Sequence, residues 1–426
     1  TKLTALVNWF DQKAQDPLGF TRAIAFSEPT SAGVGAVASN TRVYRSHTQA
    51  GFNLSHAFSE NNAINLMTYV GTRENEQYLS LPSAPPVNAN GRASEISRDF
   101  WGADLRWDNN GKLLNRPYNI SLGLNYGKSK DARRDINAVN GIKRPTNIPN
   151  NTNYGLNRDE DNISTNFDQY IQGKLSVLDN VDIHAGARHT KVKLEVKDNF
   201  ITGTSAIGDN SGSVEYQKTT PVIGVVWKVT PLLNLYANYG RGFETPTFIE
   251  AAYNSTAAGA TPNLSLKPSE SRNYELGAKA FIGDNTQANL NLFRITTEDE
   301  LIISASNAGR NVYSNAGKTK RTGAELSIDS KFANNISTYF SYSLLNAKFD
   351  SDFTSTAGLV ESGNRIPGTY KTQLYGEVAW KYAPLGFSTA FEGRHNSKVY
   401  VNDQNQDTAP SYTIFNLRAG LEQNLG

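Results

Sequence analysis

The chain repeats one pattern from end to end: apolar and polar residues alternate with a period of two. Trp101, Ala103, Leu105 and Trp107 share one side of an extended segment, against Gly102, Asp104 and Arg106. Ile120, Leu122, Leu124 and Tyr126 oppose Ser121, Gly123, Asn125 and Gly127. The same holds for Val181, Ile183, Ala185 and Ala187, for Ala288, Leu290 and Leu292, for Ala324, Leu326 and Ile328, and for Phe415, Leu417, Ala419 and Leu421. Successive side chains of a strand point to opposite faces, so each segment is a strand with one apolar and one polar face. A soluble sandwich meets that description too, with its polar face in water. Segment length favours a membrane barrel, since many segments reach the roughly 9–11 residues that a tilted strand needs to cross a bilayer.

The connections alternate between short and long. Short turns are expected near Ser59–Asn62, Asp108–Gly111, Leu178–Asn180, Val229–Pro231, Gly283–Asn285, Ala333–Asn335 and Ala383–Gly386, where Asn, Asp, Gly and Pro supply turn geometry. Long connections are expected near 11–40, 79–97, 131–164, 199–213, 247–269, 304–313, 350–370 and 402–410. Short periplasmic turns alternating with long extracellular loops are the rhythm of an outer-membrane barrel, here with about 16 strands. Trp9, Phe10, Trp107, Tyr126, Trp227, Trp380 and Tyr382 lie near strand ends, where interfacial aromatic girdles belong.

Composition closes off other classes. Mean hydropathy is −0.50, and no run approaches 18 apolar residues, so no transmembrane helix is expected. Alternating strands average out as hydrophilic, so that value is compatible with a barrel. The net charge of +2 gives no electrostatic case for binding nucleic acid. With 0 Cys, disulfide scaffolds and thiolate metal sites are excluded. The five His residues are scattered, and His184 and His189 face opposite sides of one strand, so no metal site is expected.

Enzyme signatures are poor. Gly33–Ala38 has the glycine spacing of a dinucleotide turn but no strand–turn–helix context is expected around it. Gly317-Lys318-Thr319 ends like a phosphate-binding loop, yet Val312 stands where its first Gly is needed. No Gly-x-Ser-x-Gly elbow occurs. No cofactor is expected.

The second half carries a specific resemblance. Tyr239-Gly240-Arg241-Gly242-Phe243-Glu244-Thr245-Pro246-Thr247-Phe248 resembles the "GRGFETPT" strand of TonB-dependent outer-membrane receptors. Leu266-Lys267-Pro268-Ser269-Glu270-Ser271 with Tyr274-Glu275-Leu276-Gly277 resembles their "LKPE.S..YE.G" pattern. Tyr313–Thr319 with Arg321–Leu326 resembles the "N.G....GvE" strand, and Gly363–Gly368 the late "GN.iPg" loop. The likeness is dense over 239–421 and looser from Asp16-Pro17-Leu18-Gly19 onward. It implies an all-β, antiparallel barrel of the 22-stranded type filled by an N-terminal plug. It also implies active uptake of a scarce small nutrient, most often a ferric siderophore, driven by the TonB complex. The branch it resembles most includes pyrroloquinoline quinone receptors, so that cofactor is the alternative cargo.

Plug, TonB box and closing "NLFD..Y" segment do not appear in the sequence, so 1–426 reads as a partial barrel domain, an internal fragment with about four strands missing before it and about two after. Two unpaired sheet edges would then be costly in lipid, and the fragment alone is not expected to transport. Expected partners are the anionic ligand, TonB through the part not in this sequence, and outer-membrane lipid and lipopolysaccharide; the protein is expected to be a monomer. An anionic chelate suits Arg forks and aromatic rings. Candidates in or beside the long loops are Arg133, Arg134, Lys143, Arg144, Tyr154, Arg158, Arg241, Phe243, Arg310, Tyr313, Arg365 and Tyr370. Arg241 and Glu244, lying on a motif shared by relatives with different cargo, are expected to shape the barrel mouth. A passive porin, a barrel enzyme with an outward Ser-His dyad and a soluble adhesin are the rival classes.

Overall fold

The computed structural model describes residues 1–81, 90–146, 155–200, 208–255, 261–307 and 310–422, with the side chains of Asn307 and Arg310 left aside. Among the described residues, sixteen long antiparallel strands, with the two-residue strand Ile142–Lys143 beside the fifth, form one sheet in meander order: β1 (Lys2–Gln15), β2 (Arg42–Ser59), β3 (Asn62–Ser80), β4 (Asn90–Leu113), β5 (Arg116–Val139), β6 (Leu156–Leu178), β7 (Val181–Asp198) and β8 (Gly212–Thr230), then β9 (Leu233–Glu244), β10 (Ser269–Ile282), β11 (Thr286–Glu298), β12 (Lys318–Phe332), β13 (Ile336–Phe349), β14 (Thr372–Tyr382), β15 (Phe387–Asn396) and β16 (Tyr412–Leu421). Each strand pairs with its sequence neighbours. Among the described residues, β1 pairs only with β2 and β16 only with β15.

The sheet is inside-out relative to a soluble protein. Directly paired residues share a face, so register assigns every side chain to one side. One face carries Val7, Val70, Trp101, Leu124, Ile223, Leu276, Val378 and Leu417, all exposed. The other carries Ser121, Asp131, Asp135, Glu160, Asn162, Asp168 and Asp182, all buried. Large apolar side chains turned outward and carboxylates turned inward are what a curled membrane sheet requires. Trp9, Trp107, Tyr126, Trp227, Trp380 and Tyr382 face outward with the apolar residues. Phe10 does not: it alternates with Trp9 and faces inward, so it leaves the expected girdle.

β4 and β5 are 24 residues long each, over twice what a bilayer crossing takes. Residues 131–139 and 156–164, expected as loop, therefore belong to strands. In Lys128–Asp135 the outward residues are exposed and the inward Asp131, Arg133 and Asp135 enter ion pairs, so both faces are polar and the alternation that marks a strand fades. Asp108–Gly111, expected as a turn, is also strand; the turn lies at Leu114-Asn115, with φ of 49° and 65°. Positive φ at both central residues is the hairpin geometry that follows strand twist. The Asp108–Asn110 side chains instead bridge strands: Asp108 accepts from Asn65 and Ser121, and Tyr118 donates to Asn109. The other expected turns fall at or within a few residues of the observed ones.

The first long connection holds two short helices, α1 (Arg22–Ser27) and α2 (Val34–Ser39). Thus Gly33–Ala38 does open a helix, contrary to the sequence reading, but one of 6 residues with no βαβ unit. The connection after β11 is a hairpin, Leu301–Asn307 with Arg310–Asn315.

Candidate functional site

At the outer end of the inner face, β5 and β6 present a compact charged network. Arg133 lies 3.3 Å from Asp135 and 3.8 Å from Glu160. Arg158 lies 3.2 Å from Glu160 and 3.8 Å from Asp135. Ser94 of β4 donates to Asp135 at 2.8 Å. The period of two places these side chains together: Arg133 is directly opposite Glu160, and Asp135 opposite Arg158. Two cations and two carboxylates alternate around a square, so each buried charge has an opposite neighbour, as burial demands.

The connection after β9 folds onto this square. Arg133 donates to the Tyr253 phenol at 3.2 Å, and Arg158 to the Ala252 carbonyl at 3.2 Å. The Arg158 guanidinium lies 4.7 Å from the centre of the Tyr253 ring, within cation–π range. Ala251, Ala252 and Tyr253 are buried there. Arg92 is also buried on this face, and its Nε has no partner among the described residues. Arg133 and Arg158 therefore hold a loop as much as they offer charge.

A second polar group sits at the mouth beyond β11. Glu300 accepts from Thr319 at 2.6 Å and from Arg321 at 3.0 Å. Burial opposes its ionisation, but the hydrogen bonds from Arg321 and Thr319 outweigh it and hold the carboxyl below its ordinary range. Glu300 and Arg321 line a 490 Å³ cleft with Glu244, Ser271 and Asn273, and Phe243 borders it.

The remaining expected residues scatter. Arg134 faces outward and pairs with Asp159 at 3.2 Å. Lys143 also lies outward, 2.6 Å from Glu76 and bonded to Glu95. The Arg144 amide donates to the Asn137 carbonyl at 2.8 Å, continuing the edge of β5. Arg241 is on the outward face of β9, 3.7 Å from Glu270. Arg310 starts the return strand of the hairpin after β11, and Tyr313 pairs with Ile303 within it. Arg365 donates to the Leu345 carbonyl at 3.0 Å and to Asn346 at 3.2 Å, tying its loop to β13. The Tyr370 and Tyr412 hydroxyls are 3.4 Å apart. Tyr154 lies outside the described residues. Arg133 and Arg158 are thus brought together, while the others occupy separate places. Asp135, Glu160 and Tyr253 were not anticipated, although the two-residue spacing of Arg133-Asp135 and Arg158-Glu160 is visible in the sequence.

With this geometry in place, comparison with known proteins decides the family. The model of the family described as "TonB dependent receptor-like, beta-barrel" matches residues 1–425. The chain belongs to the TonB-dependent receptor family. Its sheet superposes on the ferric citrate transporter FecA in its unliganded form with a TM-score of 0.77, at 17% identity, over 98% of this chain and 59% of that one. The siderophore receptor PiuA from Acinetobacter baumannii gives 0.73, at 14% identity, over 91% of this chain and 59% of that one. The copper transporter OprC gives 0.67, at 14% identity, over 89% and 57%. At such identities the likeness is one of fold. This TonB-dependent receptor chain spans about three-fifths of the length of those structures. The family's barrels are outer-membrane proteins, and the all-β sheet with its outward apolar face accords with that place.

Proposed function

We propose that the chain is most of the barrel wall of a receptor that takes up a scarce anionic metal chelate, a ferric siderophore, with energy delivered by TonB through a part of the protein beyond this sequence. One observation carries the reading. The outer end of the inner face holds Arg92, Arg133 and Arg158 against the Asp135–Glu160 carboxylates, roofed by the Tyr253 loop, so a cation-bearing vestibule opens above a polar lumen. Guanidinium forks and a phenol suit carboxylate or catecholate oxygens. Names of proteins with the same fold, a ferric citrate transporter and a siderophore receptor among them, support iron chelates as the class. The outward apolar face would lie in outer-membrane lipid, with lipopolysaccharide around its outer rim and the receptor acting as a monomer.

Deleting the full-length gene and growing the strain on a panel of iron chelates, with pyrroloquinoline quinone included, tests this. Loss of growth on one chelate at limiting concentration is expected. Normal use of every compound would remove the uptake reading. Uptake that persists after TonB is deleted would point to a passive porin.

A further inference from the structure

Three rings form a continuous strip on the inner face of the first four strands. Phe10 of β1 pairs directly with His47 of β2, and their rings stack at 5.6 Å and 21°. Phe100 of β4 stacks on the other side of His47, at 5.7 Å and 13°. It reaches across β3 because Gly71 lies between: a Cβ there would sit 2.4 Å from Phe100 Cζ. His47 is held in place by a 3.3 Å hydrogen bond with Gln49.

The charge around this strip differs from the rest of the inner face. Register places Arg45 and Arg73 beside His47 on the same face. Arg73 is exposed and forms no ion pair among the described residues. Most other inward arginines are matched by acids, as in Arg98–Asp131 at 2.6 Å and Arg188–Asp168 at 2.7 Å. On β1, β2 and β3 every carboxylate points outward: Asp11, Glu74 and Glu76 all alternate with inward neighbours. The inner face of these three strands thus carries aromatic rings and cations with no acid.

We propose that this strip is a stacking subsite for a planar, anionic aromatic group of the transported molecule, an aryl carboxylate or catecholate. Ring faces would take the arene, and Arg73 its negative oxygens. This rests on the uptake reading above and narrows it from anionic chelates in general to those with an aromatic arm.

The test uses the intact receptor in detergent and measures equilibrium binding of three probes: iron(III) 2,3-dihydroxybenzoate, iron(III) citrate and iron-free 2,3-dihydroxybenzoate. Two variants are compared with the parent, the double variant Phe10→Leu/Phe100→Leu and the single variant Arg73→Gln. Heat-dependent gel mobility checks that each is folded. Arg73 is exposed and in no ion pair among the described residues, so its variant reports even where the double variant fails to fold. Binding of the aryl iron complex is expected to fall about tenfold or more in each variant, the scale of losing one stacked ring or one charge-assisted contact. Ferric citrate binding is expected to stay constant. Equal weakening of both iron complexes, or no weakening of the aryl one, overturns the subsite. If the parent binds citrate but no aryl probe, the subsite fails and iron uptake stands. If it binds only the iron-free aryl acid, and the variants lose it, the subsite stands and the iron reading fails.

Discussion

Gly123→Ala should destabilise the barrel, against the usual sign for Gly replaced in a strand. Gly123 of β5 pairs with Tyr170 of β6, whose ring lies flat over it on the inner face. A Cβ at Gly123 would stand 2.0 Å from Tyr170 Cζ and 2.3 Å from its hydroxyl. The ring must swing away, at a cost of about 1–3 kcal/mol for overpacking of this kind. Ala restricts the unfolded chain and returns roughly 0.5–1 kcal/mol. The net expectation is a loss of roughly 1 kcal/mol and at most about 2.5 kcal/mol. Gly376 is the control: nothing lies within 4 Å of its Cβ position, so Gly376→Ala should keep only the gain. Guanidinium unfolding of the intact receptor in lipid vesicles measures both. In a Tyr170→Ala background the Gly123→Ala cost should vanish, a coupling of about 1–3 kcal/mol. If Gly123→Ala proves as stable as the parent, or costs the same without Tyr170, the ring-over-glycine argument is refuted. Tyr236 over Gly277 and Phe293 over Gly323 repeat the arrangement, with closest approaches of 2.2 and 2.4 Å.

Further expectations concern the mouth. Tyr253→Leu removes the phenol that Arg133 holds, so protease should cut within 245–268 faster while the barrel keeps its heat-dependent gel shift; unchanged cutting would show that other contacts fix the loop. Glu300 has a lowered folded pKa, so its contribution is present above its unfolded value of roughly 4.3 and fades as pH falls through the lower folded value. The hairpin 301–315 should therefore become protease-sensitive in acid, and Glu300→Gln should show that sensitivity at neutral pH; equal protection of parent and variant across pH would contradict it. Arg241→Ala should change stability by at most about 1 kcal/mol and leave ligand affinity intact, since its partner Glu270 lies on the outward face at 3.7 Å; a large affinity loss would place Arg241 in the binding path.

Strand identity was legible wherever one face meets lipid and the other the lumen. Ile120–Tyr126 alternates because its two environments differ. The same chain becomes unreadable at Lys128–Asp135, where the outward face is exposed and the inward face is a charged network, so both are polar, and so Arg133, Arg134 and Arg158 were placed in or beside loops. Asp108–Gly111 misled for another reason. Its residues have turn chemistry, yet their side chains are used to bridge β3, β4 and β5, while Leu114-Asn115 makes the turn without Gly.

The candidate site was legible as residue types and not as a place. Arginines and aromatics near loops could be named, but only register shows that Arg134 and Arg241 face away from the lumen. Phe10 was grouped with Trp9 by position, though neighbours on a strand point to opposite sides.

By itself, the sequence determined the number of strands, their antiparallel meander and the family, because period-two patterning and local motifs are written in contiguous residues. Tertiary structure decided which inward side chains meet. The Arg133–Asp135–Arg158–Glu160 square, its Tyr253 roof and the Phe10–His47–Phe100 strip join residues of different strands, 120 positions apart for Arg133 and Tyr253. Their meeting depends on pairing register and on glycines that let rings cross a strand, neither of which any single segment specifies.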